Sequence, residues 1–472
     1  MSDVSAAAAP TSDVAWLRTD GPYVIDGRGA RVTLKGFGLG GWLNMENFIT
    51  GYASSESLHR EAMRQTMGDE MYEKFFAGFL ETFFTDADAR FLASIGVNSL
   101  RIPVNYHHLL DDLKPDVIRP EGFIQLDAAV RRCAAHGIYT IIDLHAAPGG
   151  QNGHWHSDTQ FHHPQLWRQA DFRRRTLAIW QAIAARYFDN PWVAGYNFLN
   201  EPSAENPHDL VDFYHELEGV VRQIDHRHML FLDGNRFATE FPEFGDAIAN
   251  TVYSVHQYPP PCRFDAGPYP GETNGEYYDR DRVERDFVRM TSYIVEQKVP
   301  IWVGEFGPVY TGSRQADEMK RQLLMDELDV YAAHGAGWSL WTYKDMGMMG
   351  LLQTRPGSAW MRRTAHVRAK KARLGVDVGG SDDLQIDDVM TPIRRLFQQE
   401  FAWFDPYPFG AQSYINRIVR AILLAEPLAY EFAQAFAGIT ASEIDEVVGS
   451  FRFDNCEPNA DVLAIVTKAC LV

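Results

Sequence analysis

The stretch Val193-Ala194-Gly195-Tyr196-Asn197-Phe198-Leu199-Asn200-Glu201-Pro202 is an apolar run that ends in a carboxylate and a proline. About a hundred residues later, Ile301-Trp302-Val303-Gly304-Glu305-Phe306-Gly307 repeats the design, with its carboxylate between glycines. Short, nearly unbroken apolar runs of this kind read as strands buried on both faces of a parallel sheet. Working outward, matching runs lie at Thr33–Leu39, Ser99–Val104, Tyr139–His145, Met229–Asp233, Thr251–Tyr258 and Trp338–Tyr343. With Val193–Asn200 and Ile301–Glu305 they number eight, the count of a closed (β/α)8 TIM barrel. Helical stretches alternate with them: Asp86–Ser94, Leu126–His136, Phe172–Tyr187, Leu210–Ile224, Arg282–Glu296 and Gln315–Ala333. Gly96, Gly137 and Gly335 follow three of these helices, where a left-handed cap favours glycine.

Length and charge narrow the choices. At 472 residues the chain can hold one such barrel with additions. The net charge of −19 argues against nucleic acid or an anionic membrane surface as partner. Cys133, Cys262, Cys456 and Cys470 are scattered without metal-ligand spacing and read as free thiols. Met1 to Pro10 has no basic start or apolar core of a signal peptide, and no run reaches membrane-spanning length. A cytoplasmic address without membrane insertion is expected.

The expected organisation has three parts: a disordered terminus at 1–14, a catalytic barrel at 15–403, and a helical extension at 404–472 packed on the barrel. Two long loops, 43–80 and 346–390, are expected on the face where strands end, and such loops shape sites. The second mixes a basic run, including Arg362, Arg363 and Lys370, with an acidic one (Asp382, Asp383, Asp387, Asp388). Thr391-Pro392 predicts a helix Pro392–Phe401 with proline at its first position. Thr440 and Glu443 have capping-box spacing.

Glu201 and Glu305 end different strands, so both face the common mouth. Two carboxyls so placed can flank a glycosidic bond, one protonating the leaving oxygen and one attacking the anomeric carbon. Burial and a neighbouring carboxylate raise the pKa of the group that must hold its proton.

Leu100-Arg101-Ile102-Pro103, Asp143-Leu144-His145, Leu199 to Pro202, His256-Gln257-Tyr258, Gly304 to Gly307 and Trp338 to Trp341 follow one another in order. In this the chain resembles glycoside hydrolase family 5, retaining enzymes on an eight-stranded α/β barrel. The resemblance implies Glu201 as acid/base and Glu305 as nucleophile. It gives Arg101 and Tyr258 as partners of the nucleophile, His145 and Asn200 as binders of sugar hydroxyls, His256 as the group orienting the acid/base, and Trp341 as the floor under the sugar. Gly38-Leu39-Gly40-Gly41-Trp42 and the run Asp143 to Gly153 are similar to the exo-acting branch of β-1,3-glucanases and β-glucosidases. Trp42 and Trp155 join the expected binding residues. Asn105-Tyr106-His107 and Glu46-Asn47-Phe48 depart from that branch, and the tail after Phe404 has no counterpart in the minimal barrel.

The expectation is a retaining exo-β-glycosidase of β-glucosidase type, acting on short oligosaccharides or glycosides and needing no cofactor. A β-mannosidase, a furanosidase, a diglycosidase or an endo-β-glucanase uses the same residues, and a non-catalytic sugar-binding barrel is the rival from another class. The cluster His154, His156, His162 and His163 suggests a metal hydrolase, but it lies in a loop without the helical spacing of a zinc site. No metal is expected, and the loop reads as pocket wall.

Overall fold

A computed structural model describes residues 15–159, 163–263, 266–376 and 386–471. The expected disordered terminus, His162, Asp382 and Asp383 lie outside the described residues. Eight parallel strands close a barrel in sequential order: β1 (Lys35–Gly38), β2 (Ser99–Asn105), β3 (Tyr139–Ala146), β4 (Val193–Asn197), β5 (Met229–Asp233), β6 (Thr251–Gln257), β7 (Ile301–Phe306) and β8 (Gly337–Leu340). The chain is therefore a (β/α)8 barrel. Parallel strands ringed by helices are buried on both faces, which is why their sequences are apolar throughout.

Side chains alternate along each strand and divide the interior into two ends. At the amino-terminal end Ile141, Met229, Phe231, Val252 and Trp302 form an apolar plug with Ala15, Leu17 and Val24. Leu17 and Val24 belong to the antiparallel hairpin segment around Arg18–Asp20 and Tyr23–Ile25, which covers this end. At the other end the inward positions become polar.

Four sequence expectations change, one of them the 346–390 loop, which carries a helix at Ala359–Arg373. The 43–80 loop is mostly helical, with helices at Asn47–Thr50, Glu56–Met67 and Asp69–Phe83. Phe75, Phe79 and Phe83 of the last of these helices are fully buried and drive its packing. The Arg282–Glu296 helix is two, Arg280–Met290 and Ser292–Gln297, broken at Thr291, whose hydroxyl donates to the Phe287 carbonyl at 2.9 Å. The helix expected from Pro392 begins at Asp387, with Pro392 inside it. Asp387 and Asp388 occupy the first turn, where their charge favours the positive end of the helix, and so the helix starts five residues before Pro392.

The segment after 404 carries helices Gly410–Asn416, Ala425–Gln434, Ala441–Val448 and Ala460–Leu471. Thr440 and Glu443 exchange both capping-box hydrogen bonds. Phe432, Phe436 and Phe451 are fully buried and surround Trp360 with Phe75 and Phe79. Lys344 joins this segment to the barrel, donating to the Phe451 carbonyl at 2.9 Å and pairing with buried Asp88 at 2.6 Å.

Candidate active site

Arg101 on β2 organises the polar end. Its Nη1 donates to Glu305 Oε1 at 2.5 Å, its Nη2 to Asn200 Oδ1 at 2.6 Å, and its Nε to Asn197 Oδ1 at 3.0 Å. Asp143 on β3 lies 3.1 Å from Nη2. Burial works against the guanidinium charge, but Asp143 and Glu305 outweigh it and hold the proton more tightly.

Glu305 faces inward because of a bulge. In the pairing of β6 with β7, Val255 opposes Val303 and His256 opposes Glu305, so Gly304 is skipped. A Cβ at Gly304 would meet Ser254 Oγ at 2.5 Å and His256 Nε2 at 2.7 Å, which leaves room only for glycine. Glu305 also accepts a hydrogen bond from the Tyr258 hydroxyl at 3.2 Å.

Glu201 stands just past β4 with φ +46, in the left-handed region. Its backbone N–H donates to Asp233 Oδ2 at 3.0 Å, and its carbonyl accepts from Asn152 at 2.9 Å. Its carboxyl meets His256 Nδ1 at 2.9 Å and His156 Nε2 at 3.3 Å. Both histidines are held neutral, chiefly by burial, with Arg101 and the neighbouring histidines acting in the same direction.

The two carboxyls differ in their surroundings. Burial raises the pKa of Glu201 far above the ordinary range, and Glu305, Asp233 and Glu46 push it further. Burial also lifts Glu305, but Arg101 opposes this by charge and hydrogen bond. Five carboxyls (Glu46, Asp143, Glu201, Asp233, Glu305) surround one guanidinium, so they cannot all be ionised together. The proton stays on Glu201, and Glu305 is the one that ionises first.

His145 is fixed from both sides: Nδ1 meets Asp143 at 2.7 Å and Nε2 meets Glu46 at 3.0 Å. Burial draws it down to about 4, so it is neutral at pH 7. Its ring stacks parallel to Trp341, 5.4 Å between centroids. Trp341 lies against β1 where a Cβ on Gly38 or Gly40 would meet its ring at 2.5 Å, so those glycines make space for the indole. Asn200 Nδ2 reaches His145 Nε2 at 3.3 Å.

Thus Arg101, His145, Asn200, Glu201, His256, Tyr258, Glu305 and Trp341 gather at one mouth. Trp155 stands at its edge, half-buried beside His154 and His156, with its indole N–H unpartnered among the described residues. Trp42 is a correction. It is fully buried, donates through Nε1 to the Leu80 carbonyl at 2.9 Å and packs on Phe84, so it fills core.

Four further residues belong here. Asp143 sits two before His145 on the same strand face, and Asp233 ends β5 as Glu305 nearly ends β7; alternation and strand-end position could have flagged both. Glu46 and Asn152 lie in loops, where no periodicity marks them. Of the histidine cluster, His156 reaches the carboxyl pair. Glu201, His256 and Glu305 also hold ligand-type atoms within 4.8 Å of one another. Arg101 already neutralises Glu305, so a cation would find a poor seat there.

Comparison with known proteins identifies the family. Residues 69–347 match the model of Cellulase (glycosyl hydrolase family 5). A protein of Phanerodontia chrysosporium named beta-xylosidase is 40% identical over 458 residues, covering 94% of this chain and 96% of that protein. A probable glucan 1,3-beta-glucosidase A of Aspergillus fumigatus is 27% identical over 354 residues, covering 67% of this chain and 84% of its own. The crystal structure of rutinosidase from Aspergillus niger shares the fold, with TM-score 0.53 and 18% identity over 67% of this chain and 92% of that one. A family match spanning more than half the chain, with a 40% identical relative along nearly all of it, leads to one conclusion: this protein belongs to glycosyl hydrolase family 5 and is an O-glycoside hydrolase.

Proposed function

We propose that the protein is a retaining, exo-acting β-glycosidase that releases one sugar from short β-glycosides or glycoconjugates by double displacement. The observation that carries this is the spacing of the carboxyls. Oxygens of Glu201 and Glu305 come within 4.8 Å, close to the roughly 5–5.5 Å of retaining enzymes and well short of the roughly 6.5–9.5 Å that leaves room for water in inverting ones. Glu305, ionised beside Arg101, attacks the anomeric carbon while Glu201 gives its proton to the departing oxygen. Glu201, now a carboxylate, then takes a proton from water as water displaces Glu305. His256 orients Glu201 in both steps, Tyr258 and Arg101 orient Glu305, and the His145–Trp341 stack with Asn200 holds the sugar. No cofactor is needed.

Exo action is supported by enclosure: Glu201 and Glu305 are only 7% and 5% exposed and Trp341 3%, which suits a pocket better than an open groove. Short glycosides also suit the cytoplasmic address expected from the sequence. The relatives' names direct the choice of sugar to a β-xyloside or β-glucoside.

The test is release of aryl alcohol from a panel of β-xyloside, β-glucoside, β-mannoside, β-galactoside, α-arabinofuranoside and β-rutinoside, followed by NMR of the first-formed anomer. Turnover of β-xyloside or β-glucoside with the β-anomer formed first is expected. The α-anomer first would overturn retention, and preference for polymer over aryl glycosides would overturn the exo mode.

A further inference from the structure

The segment after 404 reaches the catalytic face at Phe409. Its ring, 46% exposed, lies 5.2 Å from that of Phe237, with the Arg236 guanidinium 5.7 Å from its centroid. Phe237 meets His154 edge-on at 4.9 Å and His156 at 6.1 Å. His156 Nε2 is 3.3 Å from Glu201 Oε2. Ring contacts thus run from this C-terminal segment to the carboxyl that protonates the leaving oxygen.

The turn presenting Phe237 is strained. Arg236, Phe237 and Ala238 have φ of 53, 60 and 56°, three consecutive residues in a region that bulky side chains avoid. The turn is fastened to the segment after Glu201: Phe237 N–H donates to the Pro202 carbonyl at 3.2 Å, and Asn235 and Ala204 exchange hydrogen bonds of 2.9 Å. Strain held in place by surrounding bonds at a site mouth calls for a functional reason. Beside it, Tyr407 and Arg417 close a cavity of about 220 Å³ against Gly153, Trp167, Ser203 and Glu205, so this stretch lies over the loops after β3 and β4.

A departing sugar or aryl ring leaves on the side of the acid that protonates it. We propose that Phe409, with Phe237 between it and His156, forms a wall of the leaving-group site, making the C-terminal segment a specificity element for the departing saccharide or aryl ring. This rests on Glu201 being the acid, as proposed above. The match to the family model ends at residue 347, so Phe409 lies outside the pattern shared across the family. The 94% coverage by the beta-xylosidase relative leaves too few residues out for the segment to be missing from that alignment.

The test compares two substrate types carrying the same sugar: β-D-xylosyl and β-D-glucosyl fluorides, which have no leaving-group ring, and xylobiose, laminaribiose and cellobiose, which do. In Phe409→Ala the ratio of kcat/KM on disaccharide to kcat/KM on fluoride should fall roughly tenfold, the worth of one lost ring stack. Phe409→Tyr, which keeps the ring, should restore it. A Phe409→Ala ratio within twofold of the native one, with native turnover intact, would overturn this proposal alone. Failure of the native protein on every fluoride and disaccharide would overturn the glycosidase reading and this proposal with it. Fluoride turnover by each variant also shows that it has folded.

Discussion

At the amino-terminal end of the barrel, Ile141, Met229, Phe231 and Val252 turn inward and close it with hydrocarbon; two or four residues further along the same strands, Asp143, Asp233 and His256 turn inward and bring ionisable groups. Backbone and alternation are shared by the two ends, so the strands themselves do not explain the difference. The plug gains free energy from apolar burial, about 25 cal/mol per Å² removed from water. The polar end gathers five carboxyls around one guanidinium, and burial of such groups is costly. Stability resides at one end, and the other spends some of it on pKa values suited to proton transfer.

The sharpest way to break this comparison is Glu305→Ala. Turnover of any glycoside should fall by roughly 10⁴-fold or more, because the proposed nucleophile is gone, while the melting temperature stays level or rises. A clear loss of stability would show that the polar end is structural.

Glu201→Gln should lower kcat by about 10²–10⁴-fold on glycosides with poor leaving groups, and far less on a dinitrophenyl glycoside that leaves without a proton. In the native protein, activity should rise with pH as Glu305 ionises and fall as Glu201 loses its proton; the variant should lose the falling limb. The stability sign follows from the raised pKa of Glu201. Above the ordinary value of 4.5 the unfolded chain releases a proton that the folded one keeps, so this group costs stability as pH rises. Glu201→Gln should therefore gain in melting temperature relative to native between pH 4.5 and 8, and a gain that shrinks over that range would refute the assignment.

At the opposite end, Trp302→Ala should cost about 3–5 kcal/mol in chemical denaturation, while kcat of the folded fraction remains at the native level. The smallest expected effect is Tyr258→Phe. Removing one hydrogen bond to a carboxylate is worth about 1.5–3 kcal/mol, so kcat/KM should fall about 10- to 150-fold. The acidic limb should also move to higher pH, because the ionised form of Glu305 loses a donor. An unmoved limb would mean that Tyr258 does not support the charge.

Much of this was open to reading in the amino-acid order. The eight strands, their sequence in the barrel, and Glu201 and Glu305 at strand ends follow from local apolar runs and period-two alternation, which depend on neighbours a few residues away. The family motifs added Arg101, His145, Asn200, His256, Tyr258 and Trp341 in the same way, each tied to its strand. Tertiary structure alone decided the rest. Trp42 looks like a platform in sequence, yet its indole meets the carbonyl of Leu80 and it becomes core. Phe75 and Phe79 fall in a stretch expected to be a loop, and Trp360 and Phe451, from far along the chain, complete their packing as helix residues. Glu46 and Phe409 carry no periodic signal; their places are set by His145 and Phe237, 99 and about 170 residues away in the chain. Local pattern encodes which side chains are buried, because burial repeats with the strand or helix; which distant ring or carboxyl a loop residue meets depends on how the closed barrel brings its loops together.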